Sequence, residues 1–160
     1  MYMKNKFAFR IMFAVIAASM IITACDKDDD FHSISPIELS IHNRVNEYRT
    51  SQEIKTLVQQ PLLFEEARKI SDKLASGVYS SGDARIQEDI SNYSALIGGN
   101  SNASIIMAVN TNIVDSIFDV MINSPGGIDI LERQFTQSGV GVSEDPDEIF
   151  HICHVFVNIP

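Results

Sequence analysis

An apolar stripe at helical spacing predicts the first helix of this chain. Four residues form the stripe: Ile37, Ile41, Val45 and Tyr48. Intervals of three and four residues place one face of a helix against a core. Ser35, Pro36 and Glu38 match a helix start, in which serine caps, proline takes the first position and glutamate completes a capping box. We expect Glu38, Arg44 and Arg49 to face water.

A second helix is predicted to begin after Pro61 and to end at Gly77, where a left-handed residue terminates helices well. Its inward residues are Leu63, Ala67, Ile70 and Leu74. A short third helix is expected over residues 84–90, and a strand over residues 93–97.

A fourth helix carries its apolar face on Ile113, Val114, Ile117, Phe118 and Met121. Asn110 or Thr111 is its expected cap, and Pro125 ends the pattern. A short helix follows, and then two strands, residues 137–143 and 149–158, form a hairpin around an acidic turn. Helices followed by paired strands predict an α+β domain in which helices cover a small antiparallel sheet.

The N-terminus has the anatomy of a bacterial lipoprotein signal peptide, residues 1–24. Three basic residues precede an apolar run over residues 11–22, which is shorter than the roughly 20 residues of a membrane-spanning helix. The following Ile22-Thr23-Ala24-Cys25 resembles the lipobox, which implies a diacylated Cys25 and membrane attachment through its acyl chains. The alternative is an ordinary signal with an incidental cysteine.

A flexible acidic tether is predicted over residues 25–35, because Asp26-Lys27-Asp28-Asp29-Asp30 has no apolar content. It is either a spacer or, by resemblance to lipoprotein export signals of the Bacteroidota type, a signal for the outer leaflet of the outer membrane. A lipidated Cys25 leaves Cys153 without a partner in this chain, so we expect Cys153 to be a buried small apolar residue.

Charge excludes one class of partner. The chain has 12 basic and 21 acidic side chains, and three basic ones precede Cys25, which leaves nine against 21, a formal charge of −12. Nucleic acid binding requires clustered lysine and arginine, and the sequence has no such cluster. The same charge disfavours docking on anionic lipid, so attachment would depend on acyl chains.

The segment MINSPGGIDILERQFTQSGVGV, residues 121–142, resembles the CAP superfamily (cysteine-rich secretory proteins, antigen five, pathogenesis-related proteins), in its bacterial SCP-like branch. The shared features are an Asn-Ser-Pro-Gly turn, an Ile-Leu pair and a glycine-alternating strand. The resemblance implies a three-layer α-β-α sandwich over residues 36–160.

The resemblance also implies a cleft lined by a histidine after the second helix, a glutamate in a Gly-Glu-Asn turn and a histidine after the Asn-Ser-Pro-Gly turn. The matched positions here are Ser81, Gly99 and Gly127. A serine hydroxyl and two glycines, which have no side chain, are poor replacements for imidazole and carboxylate ligands. We therefore expect a degenerate cleft with no catalytic residue, no metal and no cofactor.

Other constellations predict little chemistry. Asp83, Glu88 and Asp129 are candidate ligands for a hard cation, but solvated carboxylates are the commoner case. His151 and His154 lie three apart on a strand and face opposite sides, so they cannot chelate one ion. His32 and His42 have no companion at ligand spacing, and no Gly-x-Ser-x-Gly nucleophile elbow is present.

These observations favour a lipid-anchored, extracytoplasmic CAP-like domain that binds a lipid, glycan or protein ligand without catalysis. The expected location is the outer membrane, with exposure at the cell surface left open. Two alternatives remain: a hydrolase, peptidase-like in character, with a relocated site, and a structural protein of the envelope.

Overall fold

The structure is a computed structural model that describes residues 33–160. The predicted signal peptide, Cys25, His32 and most of the predicted tether lie outside the described residues. Within residues 33–160, every helix is too short or too polar to cross a lipid bilayer.

Five helices and four strands follow one another along the described part of the chain. In order they are α1 (Pro36–Ser51), β1 (Val58–Gln59), α2 (Pro61–Ala75), α3 (Ala84–Leu96), β2 (Ser101–Val109), α4 (Val114–Asn123), α5 (Gly127–Leu131), β3 (Gln137–Glu144) and β4 (Phe150–Asn158). The predicted helices and the final hairpin are confirmed, but the cap expected at Asn110 or Thr111 is wrong, because α4 begins after Ile113, which offers no side-chain cap. The strand predicted over residues 93–97 is wrong, because α3 continues to Leu96.

The four strands form one sheet in the order β1-β3-β4-β2. The pairs β3–β4 and β2–β4 are antiparallel, and the two-residue β1 pairs in parallel with β3, so the sheet is mixed. Neither β1 nor β2 was predicted from the sequence. Of the strands in residues 33–160, β2 lies at one edge of the sheet and pairs with β4 alone.

Helices cover both faces of the sheet and make a three-layer α-β-α sandwich. On one face, α1, α4 and α5 bury a cluster that includes Ile41, Val45, Ile117, Met121 and Leu131 against Ile152 and Phe156 of β4. On the other face, α2 and α3 bury Leu63, Ala67, Ile70, Ile86 and Ile90 against Cys153, Val155 and Val157. Successive β4 residues thus alternate between two cores, and Cys153 is buried as predicted.

Two charged residues of α1 are buried, contrary to the prediction that they face water. Glu38, only 1% exposed, completes the predicted capping box with Ser35 and accepts two hydrogen bonds from the guanidinium of Arg68, at 2.9 and 2.5 Å. Paired hydrogen bonds to a guanidinium satisfy a carboxylate that has left water. This pair ties α1 to α2.

Arg49 is fully buried at the end of α1. Its guanidinium donates to the backbone carbonyls of Lys55, Leu131, Arg133 and Phe135, at 2.6 to 3.3 Å. Burial lowers the pKa of Arg49 from its ordinary value. The side chain holds the loop after α5 against the end of α1.

The glycine alternation of β3 follows from how closely α2 packs. Gly139 and Gly141 face α2, and a Cβ placed on Gly141 would stand 2.1 Å from the carbonyl carbon of Ala67. Any larger residue at these two positions would separate the helix from the sheet.

Candidate functional site

A groove of about 430 Å³ runs along the middle of β2. Its floor consists of Ser104, Ile105 and Ile106. One wall comes from Ser81, Gly82, Asp83, Ala84, Ile86 and Gln87, and the opposite wall comes from Ser124, Pro125 and Ile130. We call it the β2 groove. Its volume falls in the range of roughly 300–1,000 Å³ that small-ligand sites occupy.

The first wall is the turn that leads into α3. Ser81 and Gly82 are exposed there, and Asp83 caps the helix by accepting a hydrogen bond from the backbone N–H of Arg85 at 3.0 Å. The Arg85 guanidinium lies 2.5 Å from the Asp83 carboxylate and holds the pKa of Asp83 at about 2. Asp83 is therefore ionised and paired at neutral pH, so it is a poor general acid or base.

The second wall is the Asn-Ser-Pro-Gly turn. Gly126 has a φ of +76°, a left-handed conformation that favours glycine, and the Ser124 hydroxyl donates to the carbonyl of Met121 at 2.7 Å. A Cβ placed on Gly127 would stand 2.1 Å from that same carbonyl oxygen. The backbone here leaves no room for the histidine that the family resemblance implies at position 127.

The structure brings Ser81 and the turn before Gly127 to the same groove but does not bring Gly99 there. Gly99 lies between α3 and β2, where a Cβ would stand 2.4 Å from a methyl carbon of Val157. The third element of the groove is instead the middle of β2, a strand that sequence analysis did not predict. The match of Gly99 to a cleft glutamate, made on a three-residue motif, stays a prediction.

The candidate cation ligands do not converge. Asp83 lies in the groove wall, whereas Glu88 and Asp129 are exposed and are not among its lining residues. Across residues 33–160, no group of three or more histidine, cysteine, aspartate or glutamate side chains is placed to hold a metal ion.

A buried polar cluster, in which two histidines meet, was not predicted from the sequence. The Ser138 hydroxyl lies 3.0 Å from Nδ1 of His42 and 3.1 Å from Nε2 of His154. The amide nitrogen of Asn46 donates to Nε2 of His42, so a neutral His42 carries its proton on Nδ1 and donates to Ser138. A second hydrogen bond joins the Ser138 hydroxyl to Nε2 of His154.

Burial lowers the pKa of His42 and holds that of His154 well below its ordinary value. Both rings are buried, so this cluster is structural and belongs to no accessible site. As predicted, His151 and His154 act separately: Nε2 of His151 lies 2.9 Å from Asp145 in the hairpin turn. The β3–β4 register creates the cluster, and periodicity along a single strand carries no signal of it.

A second depression, of about 630 Å³, lies where β2 ends, beside α4. It is lined by Val109, Thr111, Val120, Ile149 and neighbouring residues, none of which titrates. It contains none of the predicted site positions, so the β2 groove is the stronger candidate.

Solved structures from several bacteria share this fold. An outer surface protein of Borrelia burgdorferi aligns with a TM-score of 0.67 at 13% identity, over 78% of this chain and 93% of that one. An extracellular protein containing an SCP domain from Bacillus anthracis aligns with a TM-score of 0.64 at 20% identity, over 76% of this chain and 40% of that one. A cysteine-rich secretory protein of Staphylococcus aureus gives 0.62 at 18% identity, over 76% and 38%. This chain thus aligns with only about two-fifths of the last two proteins, and no curated protein sequence matches it significantly.

The sandwich, the Asn-Ser-Pro-Gly turn and the groove beside it define a CAP-type domain. The profile of the cysteine-rich secretory protein (CAP) family matches residues 42–157. The chain belongs to this family.

Proposed function

We propose that this protein is a lipid-anchored, extracytoplasmic CAP domain that binds a ligand in the β2 groove without catalysis. The observation that carries the proposal is the composition of the groove. Hydroxyls, one amide and apolar side chains line it, and its one titratable side chain, Asp83, is paired with Arg85. Such a surface offers hydrogen bonds and apolar contact, but no nucleophile and base pair and no metal-ligand set.

The anchor is supported by the lipobox-like Ile22-Thr23-Ala24-Cys25 and by structural neighbours described as outer surface and extracellular proteins. Expression of the full chain in a bacterial host fed with labelled palmitate tests it. Wild type should incorporate label and partition with membranes, whereas Cys25→Ser should not incorporate label. Label on Cys25→Ser, or an unlabelled wild type, would contradict lipidation.

Binding in the groove is tested by blocking the groove. Gly82 lines it, and a Cβ at this position meets no atom within 4 Å, so Gly82→Trp adds a bulky side chain to the groove wall without a clash at Cβ. Leu96 is 74% exposed and is not a groove residue, so Leu96→Trp is a matched control for an added surface tryptophan.

Both variants and the wild type are compared against defined probes: peptidoglycan fragments, a glycan array, phospholipid vesicles and a peptide library. We expect at least one probe to bind wild type and Leu96→Trp and to bind Gly82→Trp at least tenfold more weakly. The proposal fails if no probe shows this dependence. Turnover of a bound probe by wild type would instead favour the hydrolase alternative.

A further inference from the structure

The floor of the β2 groove is the edge of a strand rather than the face of a sheet. Ile105 packs into the core beneath α1, α4 and α5, whereas its neighbour Ile106 packs against the core beneath α2 and α3. Both nevertheless line the groove, and its walls come from both helical layers. A depression that is lined by side chains from both faces of the sheet, with walls from both helical layers, opens onto the backbone of β2 between those layers.

That backbone has unused hydrogen-bonding capacity. In an antiparallel pair, every second residue of an edge strand turns its N–H and C=O away from its partner. Across residues 33–160, the backbone of residues 104–106 makes no backbone–backbone hydrogen bond outside its ladder with β4. The Ser104 hydroxyl is a further polar group among the residues that line the groove.

We infer that the ligand of the β2 groove is an extended polypeptide segment that pairs with residues 104–106 as an added strand. The inference rests on the proposed function and names the chemical class of its ligand. Only a polypeptide repeats donors and acceptors at the spacing of a strand edge, and strand addition is an established mode of peptide recognition. Glycans and lipids lack that repeat.

The dimensions and charge of the groove define the segment further. Three residues of a strand span about 10 Å, since each adds about 3.4 Å, so the floor holds three or four ligand residues. The walls at Ser81, Gly82 and Ser124 are small, which admits side chains on both sides of the added strand. Because the chain carries a formal charge of −9, neutral or basic segments are favoured over acidic ones.

The experiment uses the full chain and a library of acetylated, amidated heptapeptides. The tightest binder is resynthesised in two forms, with N-methyl groups on its odd-numbered or on its even-numbered backbone nitrogens. An added strand uses alternate N–H groups toward β2, so one form should bind at least tenfold more weakly and the other within about threefold of the parent. Peptide binding should also slow hydrogen exchange at residues 104–106 in wild type and Leu96→Trp but not in Gly82→Trp.

The failures of the two proposals are distinguishable. If a glycan or lipid probe binds in a manner that Gly82→Trp abolishes while no peptide does, the groove is a binding site and the strand inference is overturned. If both N-methylated forms bind within threefold of the parent peptide, the peptide is recognised by its side chains alone, and the strand inference is also overturned. Concentration-dependent dimerisation with slowed exchange at residues 104–106, without peptide, would make a second copy the occupant instead.

Discussion

The contact between α2 and β3 supplies the sharpest test of how this fold is built. Gly141→Ala adds one methyl group where a Cβ would lie 2.1 Å from the carbonyl carbon of Ala67 and 2.2 Å from the backbone nitrogen of Arg68. Ordinary van der Waals contact begins at about 3.4 Å, so α2 and β3 must separate by about 1 Å. The obstacle is backbone inside a helix, which cannot rotate away as a side chain can.

The expected loss in the free energy of unfolding follows from this geometry. Overpacking a core costs about 1–3 kcal/mol, and a clash with backbone belongs at or above the top of that range. The separation also strains the hydrogen bond of 2.8 Å from the Ser71 hydroxyl to the carbonyl of Gly141. We expect a loss of about 3 kcal/mol in the free energy of unfolding, a large part of the roughly 5–15 kcal/mol that holds a domain together.

Urea unfolding followed by circular dichroism measures the change. Gly82→Ala is the matched control, because a Cβ there meets nothing within 4 Å, and it should stay within about 0.5 kcal/mol of wild type. A Gly141→Ala variant that loses less than 1 kcal/mol would refute the argument that β3 needs glycine for close helix packing.

Three further predictions concern the buried polar groups, each read from urea unfolding. Ser138→Ala leaves His42 and His154 each with an unpaired ring nitrogen, at about 1–3 kcal/mol apiece, so a total loss below 1 kcal/mol would contradict the cluster. Both histidines have lowered pKa values in the fold, so the unfolded chain binds more protons below about pH 6.5 and stability falls with decreasing pH. For each ring that stays neutral, the free energy of unfolding should fall by about 1.4 kcal/mol per pH unit, and His154→Leu should remove the part of this slope that His154 contributes. An unchanged slope in that variant would contradict the lowered pKa of His154. Arg49→Met removes four hydrogen bonds to carbonyls and should cost about 3 kcal/mol or more, with Arg49→Lys intermediate; a neutral Arg49→Met would show that the loop after α5 needs no such anchor.

Local signals explain which parts of the fold were predictable. The capping box and apolar stripe of α1, and the terminal Gly77 after α2, act within a few residues of their own position. β2 lacks such a signal, because its apolar run shows no alternation and its partner β4 lies about 50 residues further along the chain. The span of α3 was underestimated because its second half is polar.

The candidate site, too, was predictable only where its signals are local. The Asn-Ser-Pro-Gly turn was recognised from contiguous residues, and Ser81 was matched from a pair beside a helix end. Gly99, matched from a three-residue motif, does not line the groove, and the floor of the groove comes from the strand that was not predicted. Glu38 was expected in water because its partner Arg68 lies on another helix.

The sequence by itself determined the helix with a strong cap, the final hairpin and the family of the domain. The tertiary structure alone decided that His42 and His154 share Ser138, that Gly127 has no space for a side chain, and that the β2 groove opens onto a strand edge. The physical reason is range: caps, turns and periodicity depend on neighbours along the chain. Register, burial and unused backbone groups depend on which distant segments pair, and no local window contains both partners.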